Sequence, residues 1–402
     1  MEKMERRAFI ASSLGWGLDG FDFTMFALAL PALLKALSIS VADTGFVTTS
    51  SLVASALGGI IGGVLADRYG RARILMFVIG GFSLFTGLTA TAQNLSQLYF
   101  WRVLMGFTFG AEWPVGAALL AEYASAKRRG AMLGWVQSSY ALGWACSTLM
   151  FLLLFSAFPA EQAWRLLFAV GVLPALSIFY IRLSVHDRPL LKQGERAKNS
   201  FPLLFKRGQI SITILATMVG LAVQGIYYSA FSFLPLYLRT VRKMTVVGTA
   251  SYVWVVILGS FIGYVLAGYI HDIIGRRPTF AIYFTGSALA TILFVVVPIE
   301  GSVVTYVAIS FLYGFFASGQ AAGMGSFLAE LFPNVMRAAG QGFAYNVGRG
   351  FGAFAPAFIG AASSSIGLGP AIIAAGSVSC VVGLIALGFL PETRGKIITE
   401  GA

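Results

Sequence analysis

Apolar stretches of roughly the 20 residues needed to cross a bilayer recur along the whole chain, with short polar breaks between them. Read as helices, they run over 8–34, 43–66, 74–92, 97–121, 130–155, 163–185, 210–238, 247–271, 278–297, 302–328, 340–364 and 367–390. The short apolar–polar alternation of a membrane strand is missing, which argues for helices over an outer-membrane barrel. The expected fold class is therefore an all-α membrane protein with twelve transmembrane helices. The first segment carries Asp19 and Asp22 and lacks a small-residue cleavage site behind a short apolar core, so it reads as a helix and not as a cleaved leader.

Composition supports this pattern. Of 402 residues, 57% are hydrophobic and only 11% charged, against about 25% charged in a soluble domain. Such a chain lacks the polar residues to cover soluble domains, and two Cys exclude a disulfide scaffold. The net charge of +12 is unevenly placed. With the N-terminus in the cytoplasm, 21 Lys and Arg fall on cytoplasmic segments and 5 on the outer side, the latter being Lys35, Arg165, Arg239, Arg242 and Lys243. The positive-inside rule then puts both termini in the cytoplasm. The basic excess sets topology and gives no support to a nucleic-acid partner. A multi-pass protein of a bacterial cytoplasmic (inner) membrane, acting as a monomer among membrane lipid, is the expectation.

The chain repeats itself at half length. GGVLADRYGRARIL, with Gly63, Asp67, Arg68, Gly70 and Arg71, lies between segments 2 and 3. GYIHDIIGRRPTF, with Gly268, Asp272, Gly275, Arg276 and Arg277, lies between segments 8 and 9, at an offset of 205. Asp187 and Glu392 share that offset, and Ala121-Glu122 matches Ala329-Glu330 at 208. The simplest organisation is two six-helix bundles of the same orientation, residues 1–185 and 209–402, joined by a polar, basic cytoplasmic linker at 186–208. Parallel repeats of this kind place a substrate site at their interface, near mid-membrane.

The G-x-x-x-D-R-x-G-R pattern, its second-half copy and PETRG at 391–395 resemble the major facilitator superfamily of transporters, over essentially the whole chain. The resemblance implies that the 2–3 loop belongs to a cytoplasmic gate. There Asp67 would accept the charges at a neighbouring helix start, and Arg68 and Arg71 would pair with acids such as Glu122. Asp272, Arg276 and Glu330 would serve the second half in the same way. The arginines alone could equally be topology charges beside a tight turn at Gly70.

Few ionisable residues lie within the segments: Asp19, Asp22, Arg102, Glu112 and Arg349. A charge at that depth is costly unless paired or hydrated, so each is a functional candidate. At 1.5 Å per residue, Asp22 lies ~21 Å and Arg102 ~23 Å from the cytoplasmic edge, so they share a level. Arg349, at ~14 Å, is close to Asp19 at ~16 Å. Asp19 and Asp22 are i, i+3 and share one face of helix 1. A protonatable acid beside an arginine suits proton coupling; a permanent salt bridge locking helices 1 and 4 is the other reading. GLDGFDFT (17–24), RVLMGFTFGAEWPVG (102–116) and FLPLYL (233–238) resemble segments of the sialate and monocarboxylate proton symporters, and more loosely of the aromatic-acid proton symporters. Ala111 and Leu236 depart from the pattern of those families. The resemblance implies cotransport of an organic anion with protons, with Asp19, Asp22, Arg102 and Glu112 as coupling candidates.

For substrate binding, Arg349 is suited to a bidentate carboxylate contact, with Tyr345 and Asn346 on the same side of its helix; a salt bridge to Asp19 is its other reading. Gly348, Gly350 and Gly352 suit close helix packing, as does the glycine-rich run 58–63. Gln137 and Tyr140, Gln224, Tyr227 and Tyr228, and Tyr313 and Gln320 recur at helical spacing and could line a hydrated cavity. His186 and His271 fall in loops, Cys146 and Cys380 stand alone, and neither a metal-ligand spacing, a nucleotide loop nor a catalytic triad is evident. The expectation is no enzyme and no cofactor, with the proton as coupling ion. The chain reads as a proton-coupled symporter of a small organic anion working by alternating access. A proton-driven drug or metabolite exporter is the alternative, and a transport-dead sensor would need an output domain that 402 residues do not hold.

Overall fold

The computed structural model describes residues 3–112, 129–176, 201–298, 302–333 and 336–394. Within these, the side chains of residues 3, 4, 64, 67, 71, 129–134, 174 and 338 lie outside the description. The described elements are helical: α1 (Lys3–Ala36), α2 (Val41–Tyr69), α3 (Arg71–Thr89), α4 (Leu95–Phe109), α5 (Arg129–Ala157), α6 (Ala160–Val170), α7 (Ile210–Phe231), α8 (Leu234–Thr240), α9 (Val246–Ile274), α10 (Arg276–Val296), α11 (Val303–Gly319), α12 (Met324–Leu331), α13 (Arg337–Gly352), α14 (Phe354–Ile366) and α15 (Leu368–Phe389). Among the described residues, nine helices are long and apolar enough to cross a membrane.

Local chemistry sets where these helices begin and turn. Ser40 and Asp43 form a capping box at the start of α2, each side chain bonded to the other's backbone N–H. Asn94 caps α4 and Thr245 caps α9 through side-chain oxygens. Gly70 (φ 101°) separates α2 from α3, and Gly275 (φ 105°) separates α9 from α10. Both conformations favour a residue without a Cβ. The sequence repeat is thus a backbone repeat, with the same turn at the same place in each half.

Three expected segments are broken. Segment 7 stops at Phe231 and restarts at Leu234 as the short α8, with Pro235 in its first turn, where a missing N–H costs no helix bond. Segment 10 runs as α11, a 3₁₀ turn at Gln320–Gly323 and α12. Segment 11 divides at Ala353 into α13 and α14. There the Thr49 hydroxyl donates to the Ala353 carbonyl (2.6 Å) and accepts from the Ala357 N–H (3.0 Å). These two groups would bond each other in an uninterrupted helix; the inserted hydroxyl takes the place of that bond, and Pro356, which has no N–H for the Gly352 carbonyl, breaks the ladder beside it. In segment 6, α6 ends at Val170 and a 3₁₀ turn follows at Leu173–Leu176. The linker contains another at Phe201–Phe205.

The helices pack by close backbone approach. A Cβ at Gly143 would collide with the Gly17 carbonyl between α1 and α5, and one at Gly58 with the Phe107 carbonyl between α2 and α4. The second half repeats this: Gly348 abuts Gly220 between α13 and α7, and Gly314 abuts the Val256 carbonyl between α11 and α9. Without a hydrophobic drive between helices in lipid, such contacts carry the packing. In the 58–63 run, Gly59 faces Asn346 of the other half, while a Cβ at Gly63 would meet open space. The two halves meet where α2 meets α13 and α14, where α5 meets α9 and where α1 meets α8.

Candidate functional site

The intramembrane charges gather where the halves meet. Asp22 (α1) and Arg102 (α4) form a buried ion pair, Nη1 to Oδ2 3.3 Å. Thr86 (α3) donates its hydroxyl to the other Asp22 oxygen. The Arg102 guanidinium lies over the Phe26 ring at 4.4 Å, and its Nε has no partner. Beside the pair is a cavity of about 20 Å³ open to a water-sized sphere, lined by residues including Asp22, Phe26, Ser51, Arg102 and Phe109, enough for one water.

A second cluster crosses between the halves. Arg349 (α13, 3% exposed) donates through Nε to the Tyr228 hydroxyl of α7 (3.2 Å) and lies over the Phe109 ring of α4 at 4.9 Å. Its Nη1 is buried without a partner. Asp19 is fully buried, and Glu112, Arg349 and Asp22 are the charged groups acting on it. The Glu112 carboxyl lies against Gly15, one turn from Asp19 on α1, where any Cβ would collide with it. Among the described residues no donor group reaches the four Asp19 and Glu112 carboxyl oxygens, and the two carboxyls lie within hydrogen-bonding reach of each other.

Aromatic rings from both halves surround this cluster. Trp16 packs on Tyr140 (5.3 Å between centroids), and Tyr140 meets Tyr227 edge-on at 5.8 Å. Phe23 contacts Tyr227 and Tyr228 at 6.0 and 5.7 Å, and Trp144 meets Phe231 at 4.9 Å. Tyr228 accepts from Arg349, whereas the Tyr227 hydroxyl has no partner. Gln137 is buried on α5, and Gln224 is half-buried on α7 beside Tyr345. Asn346 donates back to the Gly342 carbonyl and leaves its Oδ1 unpartnered beside Gly59. Gln320 donates to Ala317 on its own chain segment, with Oε1 unpartnered. The Tyr313 hydroxyl ties to the Ala230 carbonyl (2.6 Å).

The gate candidates divide. In the second half, Arg276 binds Glu330 in a two-pronged contact (Nε 3.1 Å, Nη2 2.8 Å) and Asp272 at 2.6 Å. Thr393 also donates to Glu330. Glu392 accepts from the Arg276 and Arg277 N–H groups at 2.8 and 2.9 Å, capping α10. All of these partners belong to the second half. In the first half, Arg68 is exposed and lies over Tyr69. Glu122 and the side chains of Asp67 and Arg71 lie outside the described residues. His271, expected in a loop, is instead buried in the last turn of α9 and packs on Phe280 at 4.8 Å. An apolar helix continued into a polar motif hides its true end. His186 lies outside the described residues, and among those described no group of His, Cys, Asp and Glu could hold a metal.

Thr86, Phe109, Trp16, Phe23 and Tyr264 were not expected at the centre. Tyr264 of α9 is buried and acts electrostatically on Tyr140 and Tyr227. It is one of three phenols in its segment, with Tyr252 and Tyr269, and nothing in the sequence sets it apart from them.

The model of the Major Facilitator Superfamily matches residues 13–271 and 255–401. The chain belongs to the major facilitator superfamily. It is 37% identical to a probable 4-methylmuconolactone transporter of Cupriavidus pinatubonensis, covering 98% of this chain and 92% of that protein. The cis,cis-muconate transport protein of Acinetobacter baylyi is 30% identical, covering 96% and 94%. The sialic acid transporter NanX of Escherichia coli is 25% identical, covering 98% and 95%. The muconolactone relative is thus more similar than the sialic acid one. Among solved structures, the D-xylose-proton symporter superposes with a TM-score of 0.79 at 18% identity, covering 98% and 100%, which shows the twelve-helix, two-bundle fold. This member of the superfamily is a multi-pass membrane transporter and not an enzyme.

Proposed function

We propose that this transporter is a proton-coupled symporter of a small organic anion, a monocarboxylate or sialate-like acid, working by alternating access. One observation carries the reading: the Arg349 guanidinium is buried between the two halves with Nη1 unpartnered. A guanidinium so placed can hold a carboxylate through two parallel N–H bonds. The aromatic rings beside it supply apolar contact for the body of the anion. Asp22 is the coupling acid in this reading. Its protonation breaks the ion pair to Arg102 and frees helices α1 and α4 to move against each other. Relatives whose names give muconolactone, muconate and sialic acid as cargo are consistent with an acid substrate. Bundle boundaries at 1–185 and 209–402, cytoplasmic termini in a bacterial inner membrane, and a monomeric state complete the proposal. The Asp272–Arg276–Glu330 cluster would brace the second half on the cytoplasmic side.

The test is uptake into proteoliposomes under an imposed pH gradient, with 4-methylmuconolactone, cis,cis-muconate, nicotinate, gallate and sialic acid as probes. Acid outside should drive accumulation of at least one of them. Asp22→Asn should lose gradient-driven accumulation and keep exchange of that probe. Accumulation indifferent to the gradient would remove proton coupling, and loss of exchange as well would make Asp22 structural.

A further inference from the structure

The central charges do not balance if every group is ionised. Three buried acids, Asp19, Asp22 and Glu112, share this layer with two buried arginines, Arg102 and Arg349. Asp22 is matched by Arg102 at 3.3 Å and by the Thr86 hydroxyl. Among the described residues, that leaves Arg349 as the cation facing Asp19 and Glu112. The other groups acting on Asp19, Glu112 or Arg349 are Asp22 on α1, Tyr228 on α7 and Tyr345 on α13, with the phenol of Tyr140 on α5 next to Asp19; none of these is a cation. Two ionised carboxylates against one guanidinium would leave a net negative charge in a site of low dielectric, which is strongly disfavoured.

Hydrogen bonding makes the same point independently. An ionised carboxylate can only accept. Asp19 and Glu112 are neighbours, both essentially unexposed, and among the described residues none of their four oxygens finds a donor. Unpartnered buried polar atoms on this scale are rare in a folded protein. A single proton answers both problems: one carboxyl becomes an O–H donor to the other, which partners one oxygen of each, and the group of five sums to zero.

We propose that the Asp19–Glu112 pair holds one resident proton in the substrate-free protein. Glu112 is then a positioning residue that keeps the pair half-protonated, and the transported proton is a different one. The consequence, which rests on the symport reading above, is a stoichiometry. A monoanion seated on Arg349 adds one negative charge to a neutral site, so one further proton must enter with it. Transport of a monoanion is then electroneutral.

Infrared spectroscopy of the reconstituted, substrate-free protein at neutral pH tests the resident proton directly. The wild type should show the carbonyl stretch of a protonated carboxylic acid. Glu112→Gln and Asp19→Asn should each abolish that band, since the remaining acid pairs with Arg349 as an anion, and Asp22→Asn should keep it. Both amides preserve side-chain shape, so either folded variant suffices. A wild type without the band, or a band that survives in either folded amide variant, overturns the proposal. So does a band lost only in Asp22→Asn. The measurement uses neither substrate nor gradient, so its failure is distinct from a failure of gradient-driven uptake.

Discussion

Among the described residues Arg349 has one hydrogen bond, to Tyr228, and a ring beneath it, and it lies buried between the two halves. Truncating a buried partner of a charged ligand costs a few kcal/mol. Arg349→Ala is therefore expected to weaken binding of a carboxylate substrate about 100-fold, on the order of 3 kcal/mol. Arg349→Lys, which keeps the charge and loses the fork, should fall between. Titration calorimetry with the transported probe measures both, and an unchanged affinity in Arg349→Ala would place the anion elsewhere. The five central charges were legible in the sequence because an ion inside an apolar segment has no neighbours to hide among. Simple depth arithmetic put Asp22 level with Arg102, and the structure pairs them. Thr86 and Phe109 were not legible. A threonine or phenylalanine in a membrane helix matches its surroundings, and only the fold brings these two to a carboxylate and a guanidinium.

At the scale of the element, the α9–α10 turn concentrates several demands. Gly275 at φ 105° has the Glu392 carboxylate lying against it, 2.9 Å from where a Cβ would stand. Gly275→Ala should cost about 1–3 kcal/mol through backbone strain alone, read as a lowered midpoint of thermal unfolding in detergent. Partial burial opposes the charge on Glu392, but the N–H groups of Arg276, Arg277, Arg394 and Thr393 outweigh it and hold its pKa below the ordinary glutamate value. A depressed folded pKa means stability present above the unfolded value, about 4.3, and lost as pH falls through the folded one. Glu392→Gln should therefore lower thermal stability at neutral pH, and the gap to wild type should close in acid. A gap that stays constant with pH would mean that shape, not charge, makes the cap. The existence of the described helices was legible because hydropathy reports burial in lipid. The breaks at Phe231–Leu234, Gln320–Gly323 and Ala353 were not, since both sides of each break are equally apolar. Even Pro235, a visible signal, marks only where α8 restarts.

For the whole molecule, the decisive contact is Thr49 of α2 reaching across to the break between α13 and α14. Nearby, Gly45 lies against the Pro356 carbonyl and Gly360 against Val41 and Ala42, so backbone meets backbone along this seam. The seam is at the end of α2 that begins with the Ser40 cap, opposite the Gly70 turn. Arg349 sits one turn before Ala353, whose N–H bonds the Arg349 carbonyl. The seam and the arginine are therefore one helical turn apart on the same element. Thr49→Val keeps the volume and removes the hydroxyl that ties α2 to the Ala353 carbonyl and the Ala357 N–H, so the seam loses its hydrogen bonds while Pro356 keeps the bend between α13 and α14. The conformation open at the Ser40 end should gain population. Spin labels placed at that end of α2 and α14 should report longer distances in Thr49→Val than in wild type, with substrate affinity shifted in the same variant. An unchanged distance distribution would mean that the glycine contacts alone close the seam, with the hydroxyl serving only to shape the kink.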